Sequence, residues 1–367
     1  MSKRGWLSQL DHGFLGLLLL LSAFGVAVLW SASHESDGSV APFAVRQLQW
    51  LAIAFAAMVC VVAFDYHHFR ALSLPLYLCL LLMLVGVLAF GRATMGAQRW
   101  LALGPIKIQP SEFIKVGIAV IVSHLLAREE KLPPYGLKTL WLPIAATLVP
   151  IGLVLVQPDL GTAVLVGAVA ASIILFHGVR RNVLIGLSGA LLVGAPAGWA
   201  FLKDYQRQRI LTFLDPERDP LGAGYHIIQS KIAVGSGQLL GKGFLHGTQA
   251  RLRFLPERHT DFIFSVLAEE WGFVGTLAVL ALYALLILWG LDIAAKARDT
   301  FGRLLAVGVT SILFFHVAVN IGMVTGCLPV VGVPLPLFSY GGSSVLTTYL
   351  VAGILLSIRL RRFSKRL

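Results

Sequence analysis

Apolar residues in this chain occur in runs too long for the core of a soluble protein, and polar residues are confined to the breaks between them. Runs of about 17 to 25 residues, the length that crosses a bilayer as a helix, begin near positions 14, 47, 72, 111, 139, 160, 182, 263, 303 and 341. The pattern predicts an all-α, polytopic integral membrane protein of about ten transmembrane helices, with residues 1–367 as a single membrane domain. The longest polar interval, 203–260, falls between the seventh and eighth runs and predicts a large extracytoplasmic loop. Its centre, GAGYHIIQSKIAVGSGQLLGKG, is too polar to span and too apolar for a disordered linker. Short amphipathic or re-entrant pieces are expected there.

Hydrophobic residues make up 57% of the chain and charged residues 13%, and the mean hydropathy of +0.80 excludes a soluble enzyme on one anchor. A formal charge of +12 would point to nucleic acid in a soluble protein, but here the basic residues stand in short loops between spans. That arrangement sets topology and favours anionic headgroups, with no nucleic acid as partner. Lys3 and Arg4, Arg70, Arg128 with Lys131 and Lys138, Arg180 with Arg181, Lys296 with Arg298, and the tail from Arg359 to Arg366 fall on one side. The positive-inside rule makes that side cytoplasmic, with both termini in. Segments 33–46, 91–110, Gln157 to Gly161, 203–260 and 327–340 then face outward. The first run, behind Lys3 and Arg4, is too long for a cleaved signal peptide and is expected to stay as a transmembrane helix. Cys60, Cys79 and Cys327 lie in or beside apolar runs without metal-binding spacing and are expected to be core thiols.

Two outward segments, 91–110 and 203–260, are rich in Arg and Lys where short outer loops normally lack them. A local requirement for cations outside the membrane explains the breach. In LPERHTDFIFSVLAEEWGFVG (255–275), Glu257, Arg258, His259 and Asp261 stand at the mouth of an apolar run, and Glu269 with Glu270 lies about two turns inside it. Acids at such depth usually face a wet cavity or a cation, because burying a carboxylate in hydrocarbon is costly. Asp261 therefore reads either as a functional acid or, with Thr260, as a helix N-cap. Glu112 and Lys115, on one face of a helix starting near Ser111, can pair, as a structural ion pair or as part of a site. Arg99, beside Trp100, reads as an interface anchor or a phosphate ligand. Asp159 sits between spans at the outer interface, where Pro158 and Gly161 permit a break. Ser339, Tyr340, Gly341 and Gly342 precede the last helix and either offer donors to an anion or pack a turn. Asn320 reads as polar glue between helices. The glycines of the long loop match no phosphate-loop spacing.

Five stretches, GAQRWLALGPIKIQPSE, VQPDLGTA, FLDPERDPLGAGYHIIQSKIAVGSGQLLGKG, FLPERHTDFIFSVLAEEWGFVG and LPLFSYGGSS, run in order over nearly the whole chain. Together they closely resemble the SEDS family of bacterial cell-wall proteins, and the compact amino terminus, short tail and HGTQARLRFLPERHTDFIF stretch look most like its elongation branch, with the division branch as near neighbour. The resemblance implies a peptidoglycan glycosyltransferase of the inner membrane that polymerises lipid II on the outer face with inversion, during cell elongation. Asp261 matches the family's essential acid and would be the general base. Arg99, Lys115, Arg207, Arg209, Lys231 and Lys242 would then be the cations available to the departing undecaprenyl diphosphate. Glu112 would hold Lys115 or line the cavity, and Asp159 and Glu257 would orient sugar or cation. No tightly bound cofactor is implied, but a divalent cation, Mg or Mn, held by diphosphate and a carboxylate fits the chemistry. The implied partners are undecaprenyl-diphosphate-linked glycan, a class B penicillin-binding protein acting as transpeptidase, and other membrane proteins of the elongation complex. Rival readings are a lipid II flippase, against which no paired half-chain repeats are found, and a scaffold for the transpeptidase.

Overall fold

The computed structural model describes residues 11–34, 42–94, 97–103, 106–129, 133–201, 204–219, 222–251, 254–255 and 257–362. Of the basic residues named above, Lys3, Arg4, Lys131 and the tail beyond Arg362 lie outside the described residues.

Backbone groups in a bilayer must be satisfied within the segment, so the apolar runs fold as helices. In chain order they are α1 (His12–Ser33), α2 (Pro42–Ala63), the short α3 (Tyr66–Ala71), α4 (Ser73–Phe90), α5 (Pro110–Ala127), α6 (Leu137–Val156), α7 (Leu160–His177) and α8 (Arg181–Phe201). The polar interval then folds as α9 (Asp204–Leu214), a 3-10 turn (Pro216–Arg218), α10 (Ala223–Ser236) and the single-turn α11 (Thr248–Arg251). The chain returns through α12 (Ile263–Ala295), α13 (Thr300–Val324) and α14 (Gly342–Leu360). Among the described residues nine helices are long and apolar enough to cross a membrane, while the apolar part of α8, Arg181–Gly194, is shorter. One small antiparallel sheet interrupts the helical pattern, with β1 (Arg92–Thr94), β2 (Ala97–Leu103) and β3 (Ile106–Ile108) in that order.

Three helices form the centre. The membrane windows of α5, α13 and α14 are 78%, 72% and 78% buried, against 44% or less for the others. Around them α2 packs on α14, and α7 and α12 pack on α13. At one end of the bundle, the side chain of Asp11 caps α1, accepts from Trp289 Nε1 at 2.8 Å and pairs with Arg359 at 2.7 Å. Asp299 caps α13 there and accepts from the Tyr66 hydroxyl at 2.8 Å. These contacts engage the ends of five helices, α1, α3, α12, α13 and α14, so the opposite end is left for the loops that carry the candidate chemistry.

The cysteines depart from expectation. Cys60, Cys79 and Cys327 are exposed, because the buried stripes of α2 and α4 do not include the first two and the third lies beyond the end of α13.

Helix α12 is broken at Gly272, whose φ of 63° and ψ of −164° leave the helical region. The loop after α10 takes up the freed backbone groups. Phe273 and Val274 donate to Gln238 and Leu239 carbonyls at 2.8 and 3.1 Å, and Lys242 and Gly243 donate to those of Glu269 and Glu270 at 3.0 Å each. The approach is so close that a Cβ on Gly241 would stand 2.2 Å from the Glu270 carbonyl oxygen. Glu269, fully buried, accepts from Lys242 Nζ at 2.6 Å, the Thr248 backbone at 2.9 Å and the Gln249 backbone at 3.1 Å. Glu270 accepts from the Ser31 hydroxyl of α1. The two deep acids therefore fasten the long loop and the first helix to α12.

Candidate active site

Asp261 is not a helix cap. Helix α12 starts at Ile263 with Phe262 in the N-cap position, and no side chain makes a capping bond there. The acid instead sits in a turn held from three sides. Asn320 Nδ2 donates to the Asp261 carbonyl at 2.9 Å, Ser339 Oγ donates to the Thr260 carbonyl at 2.6 Å, and the Tyr340 backbone donates to the His259 carbonyl at 2.8 Å. His259 is further pinned by stacking on Phe43 at 4.2 Å.

The carboxyl of Asp261 faces a cavity of about 320 Å³. Its walls come from Arg99 and Trp100 on β2, Gln109 and Glu112 at the head of α5, and Arg209 on α9. Glu257 and Thr260, then Val331, Gly332 and Pro334, and finally Tyr340, Gly341, Ser343 and Ser344 complete it. The uncapped start of α14 thus opens into the same space, with its backbone N–H groups and two hydroxyls. Gly332, at φ +71°, lies beside this acid, and a Cβ there would come within 3.3 Å of Asp261 Oδ2.

Electrostatics set this carboxyl apart. Burial first, then the Glu257 charge and more weakly that of Asp159, raise the Asp261 pKa from 3.8 to about 6 against the opposing Arg209 and Arg99 charges. An acid tuned to that range is ionised at neutral pH and basic enough to take a proton. Burial moves His259 the other way, below its usual range.

The remaining sequence candidates divide. Arg99, Glu112, Arg209, Glu257, Tyr340 and Gly341 line the cavity with Asp261. Lys115 and Asp159 are buried behind it. Lys115 pairs with Glu112 at 2.7 Å, and Asp159 caps α7 through Thr162 and stands 3.9 Å from Arg99, which also donates to the Pro158 carbonyl. Ser339 offers its hydroxyl to the turn rather than to a ligand, since it also accepts from the Leu335 backbone at 2.8 Å. Gly342 packs under Trp50, where a Cβ would come within 2.2 Å of the ring. Three cations are elsewhere. Arg207 donates to the Trp199 carbonyl at 3.1 Å, Lys242 is bound to Glu269, and exposed Lys231 lies over Gly326 at the end of α13. The long loop folds back on itself and on α12, which carries these side chains away from Asp261.

Several contributors were not anticipated. Gln47, fully buried in α2, donates to the Ser339 carbonyl at 3.0 Å and accepts from the Gly341 backbone at 3.4 Å. Ser343, Ser344, Gln109 and Trp100 line the cavity, and His316 contacts Lys115. A polar side chain inside an apolar run was the available signal for Gln47 and His316. Among the described residues, no group of three or more His, Cys, Asp or Glu is placed to hold a metal ion. A divalent ion here would have to share Asp261 and Glu257 with oxygens of a bound substrate.

A family model described as Cell cycle protein, FTSW_RODA_SPOVE, matches residues 11–363. Peptidoglycan glycosyltransferase MrdB of Escherichia coli (strain K12) is 48% identical over 356 residues, covering 96% of this chain and 94% of that protein. A solved chain described under structural coordination of polymerization and crosslinking by a peptidoglycan synthase complex is 34% identical, with a TM-score of 0.83 over 97% of this chain and 99% of its own. The crystal structure of Thermus thermophilus rod shape determining protein RodA is 30% identical, with a TM-score of 0.72 over 97% of this chain and 98% of its own.

Proposed function

The chain belongs to the FtsW/RodA/SpoVE family of cell cycle proteins and is a multi-pass membrane peptidoglycan glycosyltransferase, in which we propose that Asp261 is the general base. The observation that carries this is a partly enclosed carboxyl, raised to about 6, that caps no helix and faces a cavity shared with Arg99 and Arg209. Its substrate is lipid II, and the cavity opens on the outer face of the inner membrane, with both termini inside.

The donor strand carries diphosphate at C1 of its terminal muramic sugar, and the acceptor lipid II offers the C4 hydroxyl of its glucosamine. Asp261 takes the hydroxyl proton as that oxygen attacks C1, and the C1–O bond to diphosphate breaks with its electron pair leaving on the phosphate. One displacement turns an α-linked diphosphate into a β-1,4 glycoside, so inversion needs no covalent sugar intermediate. Diphosphate leaves without a proton but needs positive charge where its own charge develops. Arg99, Arg209 and the N–H groups at the start of α14 line the cavity and supply it. A divalent cation bound between substrate diphosphate and Glu257 or Asp261 would add to that charge. A class B penicillin-binding protein is the working partner, in keeping with the match to a synthase complex that polymerises and crosslinks.

The test is polymerisation of labelled lipid II by the purified protein with its transpeptidase, comparing wild type with Asp261→Ala and Asp261→Asn while folding is monitored. Glycan chains from wild type and none from either folded variant are expected. Normal polymerisation by both variants would overturn the assignment.

A further inference from the structure

Lys115 is fully enclosed in the protein, and its ammonium has two partners, Glu112 Oε1 at 2.7 Å and His316 Nε2 at 2.5 Å. An ammonium only donates, so His316 must present a lone pair at Nε2, and its ring proton resides on Nδ1. Nδ1 then donates to the Pro334 carbonyl at 3.2 Å. Glu112 and Pro334 both line the cavity, from α5 and from the segment before α14, whereas His316 lies behind them at 3% exposure. The imidazole is therefore neutral, fixed in one tautomer, and clamped between two walls of the site.

The arrangement has a chemical consequence. A buried lysine with a carboxylate as its sole acceptor is free to swing about that oxygen. A second acceptor fixes the direction of the ammonium, and with it the carboxylate that the ammonium holds. Glu112 is thereby held in one orientation as an acceptor on the cavity wall. Hydroxyl groups of a sugar are the donors such a carboxylate takes.

We propose that His316 is a positioning residue for glycosyl transfer, which as a neutral acceptor holds Lys115 and through it aims Glu112 at a sugar hydroxyl in the cavity. This rests on the cavity being the transfer site. The ring does not touch substrate; it acts through Lys115.

The experiment compares His316→Gln, His316→Asn and His316→Leu in the full chain with its transpeptidase partner, reading kcat and KM with labelled lipid II and the thermal midpoint of each variant. Glutamine can set an amide oxygen at the position of Nε2, whereas asparagine reaches only the position of Nδ1. His316→Gln is expected to keep kcat within about threefold of wild type, and His316→Asn and His316→Leu to lose roughly tenfold or more with KM little changed. Full activity in His316→Asn would overturn the proposal, as would equal loss in all three variants or failure of His316→Asn to fold, each of which assigns the ring to structure. Asp261→Asn, run alongside, separates the two failures. If it polymerises normally, the cavity is not the transfer site; if it is inactive while His316→Asn works, the His316 proposal falls alone.

Discussion

Asn320 donates one side-chain amide to two loops, reaching the Asp261 carbonyl at 2.9 Å and the Val333 carbonyl at 2.7 Å. The turn that holds Asp261 and the segment that walls the cavity are thus tied to one fully buried residue of α13. Asn320→Leu keeps the volume but orphans both carbonyls, at a cost of about 1–3 kcal/mol for each group left unsatisfied. Turnover of lipid II is expected to fall by about tenfold or more, beyond what the loss of stability explains, because the base is displaced by even a small shift of its backbone. Parallel assays of polymerisation and thermal unfolding check this; an Asn320→Leu protein with wild-type kcat would count against it.

Activity should fall as pH drops through about 6, since Asp261 must be ionised to accept a proton and its pKa stands there. The stability effect has the opposite sense. An acid raised from 3.8 to about 6 favours folding with its proton on, so the benefit is full below pH 3.8 and is lost as pH rises through 6. That rise of about two units amounts to about 3 kcal/mol at most. Asp261→Asn should therefore be inactive yet more stable than wild type at neutral pH, with the difference vanishing in acid. Thermal midpoints measured across pH decide the matter.

Gly332→Ala should impair catalysis without removing any polar group. Its φ of +71° is a conformation that a side chain disfavours, and the added Cβ would crowd Asp261 Oδ2 at 3.3 Å. The backbone strain alone costs roughly 1–2 kcal/mol. Reduced kcat with retained fold is the expected result of steady-state assays.

Lys242 serves structure rather than substrate. Lys242→Met should leave KM for lipid II unchanged, while lowering the thermal midpoint through loss of its 2.6 Å bond to Glu269. Glu269→Leu should lower it as well, because the Thr248 and Gln249 backbone N–H groups at the start of α11 lose their acceptor, at about 1–3 kcal/mol for each that stays out of water. Hydrogen exchange over 238–251 should rise in both variants.

Arg99 and Asp159 should show coupled effects. Arg99→Ala removes a cavity cation and is expected to lower kcat/KM by about tenfold or more, as charge-assisted contacts to a leaving group do. Asp159→Asn keeps the cap of α7 but drops the charge 3.9 Å from Arg99. A double-mutant cycle on kcat/KM should show the two losses to be less than additive.

The sequence alone determined the membrane class, the order of the spans and the chemistry-bearing stretches. Hydrocarbon forces backbone pairing within each run, and an acid, lysine or arginine placed in or beside such a run stands out by its cost. It also indicated the Glu112–Lys115 pair, because a separation of three residues is a neighbour relation on any helix. Tertiary structure decided which charges meet. Arg209 reaches the cavity while Arg207 on the same helix does not, and Lys231 and Lys242 pack elsewhere, since the fold of the long loop depends on contacts with α12 that no local pattern specifies. That Asp261 caps no helix and faces the cavity was decided in the same way. It turned on α12 beginning two residues later and on Asn320, Ser339 and Tyr340 gripping the turn from helices and segments distant in sequence. Local chemistry fixes what a residue is able to do; only packing fixes what it faces.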